Sequence, residues 1–234
     1  MTPPPSHTLK SFDVQLAQLN LTVTRLGESA KSLFSAAVQV LARHSDSAAT
    51  QVIADAVESD HLYDQVNREV MGVLALNAPV ADDLRYVVAV LKIAANLHSI
   101  ARAAASIARG SIALNARAAS RSVRRVKRLG DSVFCMIEIV WDAYVERDVN
   151  KAMDVWEHDR EVDEQHSGLF RELLTYMMEE PRNIATCSQL LFIAKSIERV
   201  GDYATNMAEM VHFMVTGRAV DEPRPKGDST VALS

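Results

Sequence analysis

Two similar patterns of polar residues occur about 100 residues apart in this chain, which indicates an internal repeat. The pair Asp60 and Asp64 recurs as Asp159 and Asp163, and the run "LHSIARAAASIA" recurs as "IERVGDYATNMA". A repeat of this length predicts one unit of secondary structure that occurs twice. The fold must therefore consist of two similar halves, each able to bury its apolar face.

The composition favours helices, since the chain has 8 Gly, 7 Pro and only 6% aromatic residues. Pro79 and Pro181 each separate two long apolar-periodic runs, as expected for helix–helix connections. The periodicity predicts six long helical segments, at about 8–43, 47–76, 80–112, 117–146, 149–179 and 184–216. We therefore predict an all-α fold of two tandem three-helix bundles, 7–112 and 113–217, followed by a disordered polar tail, 218–234.

Charge and apolar patterning limit the classes of function. A formal net charge of -5 argues against a dedicated nucleic-acid binder, which usually has a basic surplus. The most apolar stretch, 87–97, is interrupted by Lys92 and Asn96 and is typical of a buried helix in a soluble protein. Cys135 and Cys187 are isolated within apolar segments, so we expect two small core residues in a reducing, cytoplasmic compartment.

No catalytic motif of a common enzyme class is present in the sequence. There is no GxxxxGK[ST], GxGxxG, GxSxG or HExxH, so nucleotide hydrolysis, dinucleotide binding and serine or zinc hydrolysis lack their usual residues. Glu209 and His212 form one ExxH, whereas a di-iron carboxylate enzyme needs two. We predict a protein that is not an enzyme.

Acidic residues on the last two helical segments form a candidate metal site. Glu198 and Asp202 share a polar stripe with Thr205, on a different face from the apolar residues of that segment. Asp159 and Asp163 share a stripe that becomes apolar further along. If the segments pack antiparallel, four carboxylates converge, and protons or a cation must offset their repulsion. Hard oxygen ligands favour iron, manganese, magnesium or calcium over zinc. The alternative is a solvated acidic face.

The repeated segments also resemble a known family. The runs "DHLYDQVNREVMGVLALNAPVADDLRYVVAVLKIAANL" and "IERVGDYATNMAE" are similar to the two halves of the PhoU family of phosphate-uptake regulators, and the match covers residues 7–217. The resemblance implies a cytoplasmic negative regulator of phosphate uptake and phosphate-starvation signalling. It implies contacts with the ATPase subunit of the phosphate ABC transporter and with the sensor histidine kinase. It also implies a homodimer that reaches the membrane only through partners.

The resemblance implies metal ligands as well. In the PhoU family E(D)xxxD motifs on each bundle ligate metal clusters, and the second half of this chain reproduces both motifs. The implied cofactor is a divalent or trivalent metal, with iron, manganese, magnesium and zinc left open. The implied ligands are Asp159, Asp163, Glu198 and Asp202, with Asp60 and Asp64 as weaker candidates.

The first half departs from this pattern, because His98 and Arg102 stand where the second half has Glu198 and Asp202. Arg102 is always charged and can bind a carboxylate through two parallel hydrogen bonds. We therefore expect Arg102 to replace the metal by neutralising Asp60 or its neighbour Asp64. The alternative is that Arg102 points into solvent, where an ion pair contributes little.

A basic stripe begins the fourth helical segment. Its four arginines recur at helical spacing and form a candidate partner-binding surface: Arg117, Arg121, Arg124 and Arg128. A solvated face paired to neighbouring acids is the alternative. Two other functions also stay open: a carboxylate-bridged metalloenzyme or metal store, and a PhoU-like paralogue that serves another anion transporter.

Overall fold

A computed structural model describes residues 6–43, 45–114 and 120–220. These residues form six long helices and one short 3₁₀ turn at Pro181–Asn183, so the predicted all-α class is confirmed for the described part of the chain. The helices are α1 Ser6–Arg43, α2 Asp46–Asn77, α3 Ala81–Ala113, α4 Ser120–Glu146, α5 Val149–Glu179 and α6 Ile184–Thr216.

Local side-chain and backbone groups account for the helix ends. Ser45 accepts a hydrogen bond from the backbone N–H of Ala48 and begins α2. Asp148 accepts from the N–H groups of Asn150 and Lys151 and begins α5 in the same way. Helix α6 ends at Thr216 and is followed by Gly217, whose positive φ of 73° suits a residue without a side chain. These signals explain why the connections between long helices stay short.

The helices pack within each half of the chain and also across the two halves. Helices α1, α2 and α3 contact one another, as do α4, α5 and α6, while α1 packs on α4 and α3 packs on α6. One continuous apolar core results. The bundle limits 7–112 and 113–217 stay predictions, because the core crosses both halves and residues 115–119 lie outside the described residues. Residues 221–234 also lie outside the described residues, so the predicted disorder of the tail stays a prediction there.

Glycines allow the two halves to approach closely. A Cβ built on Gly27 of α1 would lie 2.2 Å from the Trp141 ring of α4. A Cβ on Gly110 of α3 would lie 2.8 Å from the side chain of Ile193 in α6. Because a side chain at either position would overlap its neighbour, these glycines set the interhelix distance.

The burial of side chains tests the predictions made for the two cysteines and for the most apolar helix. Cys187 is buried, but Cys135 is exposed, so the prediction of a core position for Cys135 is wrong. Its position on α4 falls outside the apolar face. Helix α3 is long and apolar enough to cross a membrane by length and composition alone. It packs in the core between α1, α2 and α6, and half of its most apolar window is buried.

Candidate functional site

The acidic residues of α5 lie at the contact between α5 and α6. Asp159 is only 2% exposed, and its carboxylate accepts a hydrogen bond of 3.2 Å from the hydroxyl of Thr205 on α6. The backbone oxygen of Gly201 lies 3.0 Å from the same hydroxyl, so the two acceptors share its single proton. Thr205 is fully buried, so the polar stripe of α6 is not a solvated face at this position. The stripe faces α5 instead.

Further along the same contact, His166 of α5 lies near acidic groups from both helices. Burial lowers the pKa of His166, Lys195 lowers it further, and the nearby charges of Glu198 and Asp163 oppose that shift. The Glu198 side chain is 16% exposed and forms an ion pair of 2.6 Å with Lys195. Asp163 of α5 and Glu198 of α6 thus both lie near enough to His166 for their charges to act on it.

The α5–α6 seam, defined by Asp159, Asp163, His166, Glu198 and Thr205, runs antiparallel. Asp159 near the start of α5 meets Thr205 in the C-terminal half of α6. His166 comes later in α5 and lies near Glu198, which comes earlier in α6. Partly dehydrated carboxylates on facing helices form a negatively charged surface within the fold.

The seam supplies oxygen donors of the type that a hard cation prefers, but their arrangement is not that of a metal site. Carboxylate oxygens from two helices are suitable ligands for such an ion, and Asp159 is almost fully dehydrated. In the described part of the chain, no group of three or more His, Cys, Asp or Glu residues is already arranged to hold a metal ion. The side chains of the seam would therefore have to rotate to surround a shared cation.

At the corresponding contact in the first half, between α2 and α3, a histidine binds the acidic residue. The Nε2 atom of His98 lies 2.6 Å from the Oδ1 atom of Asp60, and the imidazole stacks on Tyr63 with a centroid distance of 4.5 Å. His98 is 17% exposed, whereas Asp64 is exposed. The prediction that Arg102 neutralises Asp60 or Asp64 is wrong, because His98 makes the contact and Arg102 lines a cleft beside α6 instead.

The basic stripe of α4 is solvent-facing where the structure describes it. Arg121, Arg124 and Arg128 are exposed, and Arg117 lies outside the described residues. The neighbouring Arg125 turns inward and pairs with Glu172 of α5. The three exposed arginines are accessible to solvent, and their role in binding a partner stays a prediction.

Some site contacts were missed from the sequence. The Lys195–Glu198 ion pair has the three-residue spacing of a helix-surface pair, so spacing alone could have revealed it. The stacking of Tyr63 on His98 joins two helices, and no local pattern reports such a contact.

The sequence profile of the PhoU domain matches this chain twice, at residues 23–110 and 126–211. The two matches fall on the two sets of three helices. The chain belongs to the PhoU family. The expected family, and the internal repeat on which it was based, are therefore confirmed.

Relatives in the PhoU family match over nearly the whole chain. One relative is the phosphate-specific transport system accessory protein PhoU homolog of Caulobacter vibrioides. It is 41% identical to this chain over 223 residues, and the match covers 95% of this chain and 97% of the relative. A protein of Xylella fastidiosa with the same name is 40% identical and covers 96% of this chain and 93% of its own length.

Solved structures of the PhoU family share the fold. The crystal structure of PhoU from Pseudomonas aeruginosa superposes with a TM-score of 0.86 at 29% identity, covering 88% of this chain and 100% of that one. The phosphate transport system regulatory protein PhoU from Streptococcus pneumoniae gives a TM-score of 0.83 at 23% identity, covering 90% of this chain and 100% of that one. The second likeness supports the fold alone.

Proposed function

We propose that this protein is a negative regulator of phosphate uptake and phosphate-starvation signalling in the cytoplasm. The observation that carries the proposal is the match to a phosphate-specific transport system accessory protein at 41% identity over 95% of the chain. Such coverage includes both repeats and the seams between their helices. The names of the relatives describe accessory and regulatory roles, and we assign no enzymatic reaction to this chain.

The proposed mechanism is scaffolding by rigid helices. The ATPase subunit of a phosphate ABC transporter and a sensor histidine kinase are the proposed partners, and a homodimer is the proposed assembly. Helices of 27 to 38 residues, joined through one core, can present distant surfaces in a fixed relation. The exposed arginines of α4 supply a surface for an acidic region of one partner.

A metal ion at the α5–α6 seam is also part of the proposal. The buried carboxylate of Asp159 and the largely buried Glu198 support it, with Asp163 and Asp202 as further oxygen ligands. Iron, manganese, magnesium and zinc are the candidate ions, and oxygen donors favour the first three. When bound, the cation would neutralise the acidic side chains and tie α5 to α6. Asp60 is already engaged with His98, so we expect the first half to bind metal more weakly.

Deletion of the gene tests the regulatory proposal. In phosphate-rich medium we expect phosphate-starvation reporter output to rise, and a plasmid copy of the wild-type gene to restore repression. An Arg121→Glu/Arg124→Glu copy should complement poorly and bind the ATPase subunit or the kinase less well, while circular dichroism stays unchanged. Reporter output that does not change on deletion would remove the regulatory assignment.

Metal counting tests the proposed seam independently of signalling. The wild-type protein and its Asp159→Asn and Asp60→Asn variants would be loaded with each candidate ion and analysed by atomic emission. We expect Asp159→Asn to lose bound metal. Asp60→Asn, the equivalent change in the first repeat, should retain it, because Asp60 is engaged with His98. Equal loss from both variants would contradict the asymmetry, and no bound metal in wild type would contradict the site.

A further inference from the structure

A cleft of about 320 Å³ lies between α3 and α6. Its lining is basic and hydroxyl-rich. Arg102 and Arg109 come from α3, Arg199 comes from α6, and hydroxyl groups come from Ser99, Ser106 and Tyr203. Three arginines therefore surround one opening in a chain whose net charge is -5.

The antiparallel packing of α3 and α6 assembles this cleft. Arg85 near the start of α3 lies against Gly217 at the end of α6, whereas Gly110 near the end of α3 lies against Ile193. Arg102 and Arg109 are seven residues apart and therefore share one face of α3. Arg199 reaches the same opening from the opposing helix.

The arginines of the cleft take no part in the ion pairs that the structure describes. Within residues 6–43, 45–114 and 120–220, the ion pairs shorter than 4.0 Å involve other cations, and none of them uses Arg102, Arg109 or Arg199. Arg199 instead donates a hydrogen bond of 3.1 Å to the hydroxyl of Tyr203. Like charges that share a cleft repel one another, and a bound anion would offset that repulsion.

The donor groups match phosphoryl oxygens. A guanidinium group is planar and binds a phosphate group through two parallel hydrogen bonds. The hydroxyl groups of Ser106 and Tyr203 add neutral donors to the same opening, whereas that of Ser99 already donates to the backbone oxygen of Ala95. Three guanidinium groups spread over two helices suit a ligand with more than one phosphate group better than a single small anion.

We propose that the α3–α6 cleft, defined by Arg102, Arg109, Arg199 and Tyr203, binds a small oligophosphate, either free or carried by a nucleotide. This site is separate from the acidic seam, and its binding does not depend on the regulatory function. A bound oligophosphate would contact one helix from each repeat. Its binding would therefore affect the packing of both halves of the protein.

Calorimetric titration of the full-length purified protein tests this proposal. Tripolyphosphate and ATP would be used as probes at fixed ionic strength, with sodium sulfate as the comparison anion. We expect saturable binding of tripolyphosphate, ATP or both, and tighter binding than for sulfate. Stronger binding of ATP would indicate a nucleotide, and stronger binding of tripolyphosphate a free oligophosphate.

Matched variants separate the cleft from general surface charge. Arg102→Gln/Arg199→Gln should weaken binding by about tenfold or more, because charge-assisted hydrogen bonds are lost. Arg121→Gln/Arg124→Gln removes the same charge from the exposed face of α4 and should leave affinity nearly unchanged. All four arginines are exposed, so circular dichroism should confirm that both variants fold. Equal weakening by the two variants, or no saturable binding of either probe to wild type, would overturn the proposal.

Discussion

Replacing Gly27 with alanine should destabilise the protein, because the added methyl group would overlap Trp141 across the contact between the two repeats. The built Cβ lies 2.2 Å from Cη2 and 2.5 Å from Cζ2 and Cζ3 of the indole. Since carbon atoms pack best at about 3.5–4.0 Å, the ring must move by more than about 1 Å. Trp141 is 3% exposed and its Nε1 donates to Glu28 at 2.9 Å, so little room is available.

The expected magnitude combines three contributions. Overpacking a filled core costs about 1–3 kcal/mol. Weakening the hydrogen bond to the charged Glu28 costs up to about 1.5–3 kcal/mol. Alanine favours a helix over glycine by about 1 kcal/mol. We therefore expect the free energy of unfolding to fall by about 1.5–5 kcal/mol.

Gly72 of α2 provides the matched control, because a Cβ built there has no atom within 4 Å. Gly72→Ala should raise the free energy of unfolding by about 0.5–1 kcal/mol, through helix propensity alone. Urea denaturation followed by circular dichroism measures both variants. In a Trp141→Leu background the penalty of Gly27→Ala should largely disappear. A Gly27→Ala protein as stable as Gly72→Ala would refute the proposed close contact.

Three further predictions concern local contacts. Burial raises the pKa of Tyr144 far above its ordinary value of 10.0. The tyrosine therefore ionises first in the unfolded state, and the free energy of unfolding should fall as pH rises above about 10. Tyr144→Phe should reduce this dependence of stability on pH, measured by denaturation at several pH values. Asp148→Ala removes the N-terminal cap of α5 and should lower stability by about 1 kcal/mol, measured by urea denaturation; no change would contradict the capping role. Cys135 is exposed and Cys187 is buried, so a thiol reagent should modify one thiol in the native protein and the second only after unfolding.

The fold could be predicted because its signals are local. Apolar periodicity located the helices, and prolines located two of their connections. The repeat showed which residues occupy equivalent positions in the two halves. These patterns depend on short stretches of chain, which is why the predicted helix limits differ from the observed ones by only a few residues.

The site contacts were harder to predict because they depend on the register between helices. The repeat placed both His98 and Arg102 opposite the first acidic pair, yet only the packing of α2 on α3 decides that His98 reaches Asp60. The burial of Thr205 likewise follows from how α5 lies on α6. The basic cleft joins Arg102 to Arg199 across two repeats, and no spacing in the sequence reports that proximity.

The rate of phosphate uptake tests the central claim most directly. Initial uptake of radiolabelled phosphate would be measured in phosphate-replete cells that lack the gene, in the parent strain and in the complemented strain. A negative regulator predicts faster uptake in the deletion strain and a return to the parental rate on complementation. Equal or slower uptake after deletion would contradict the proposed function.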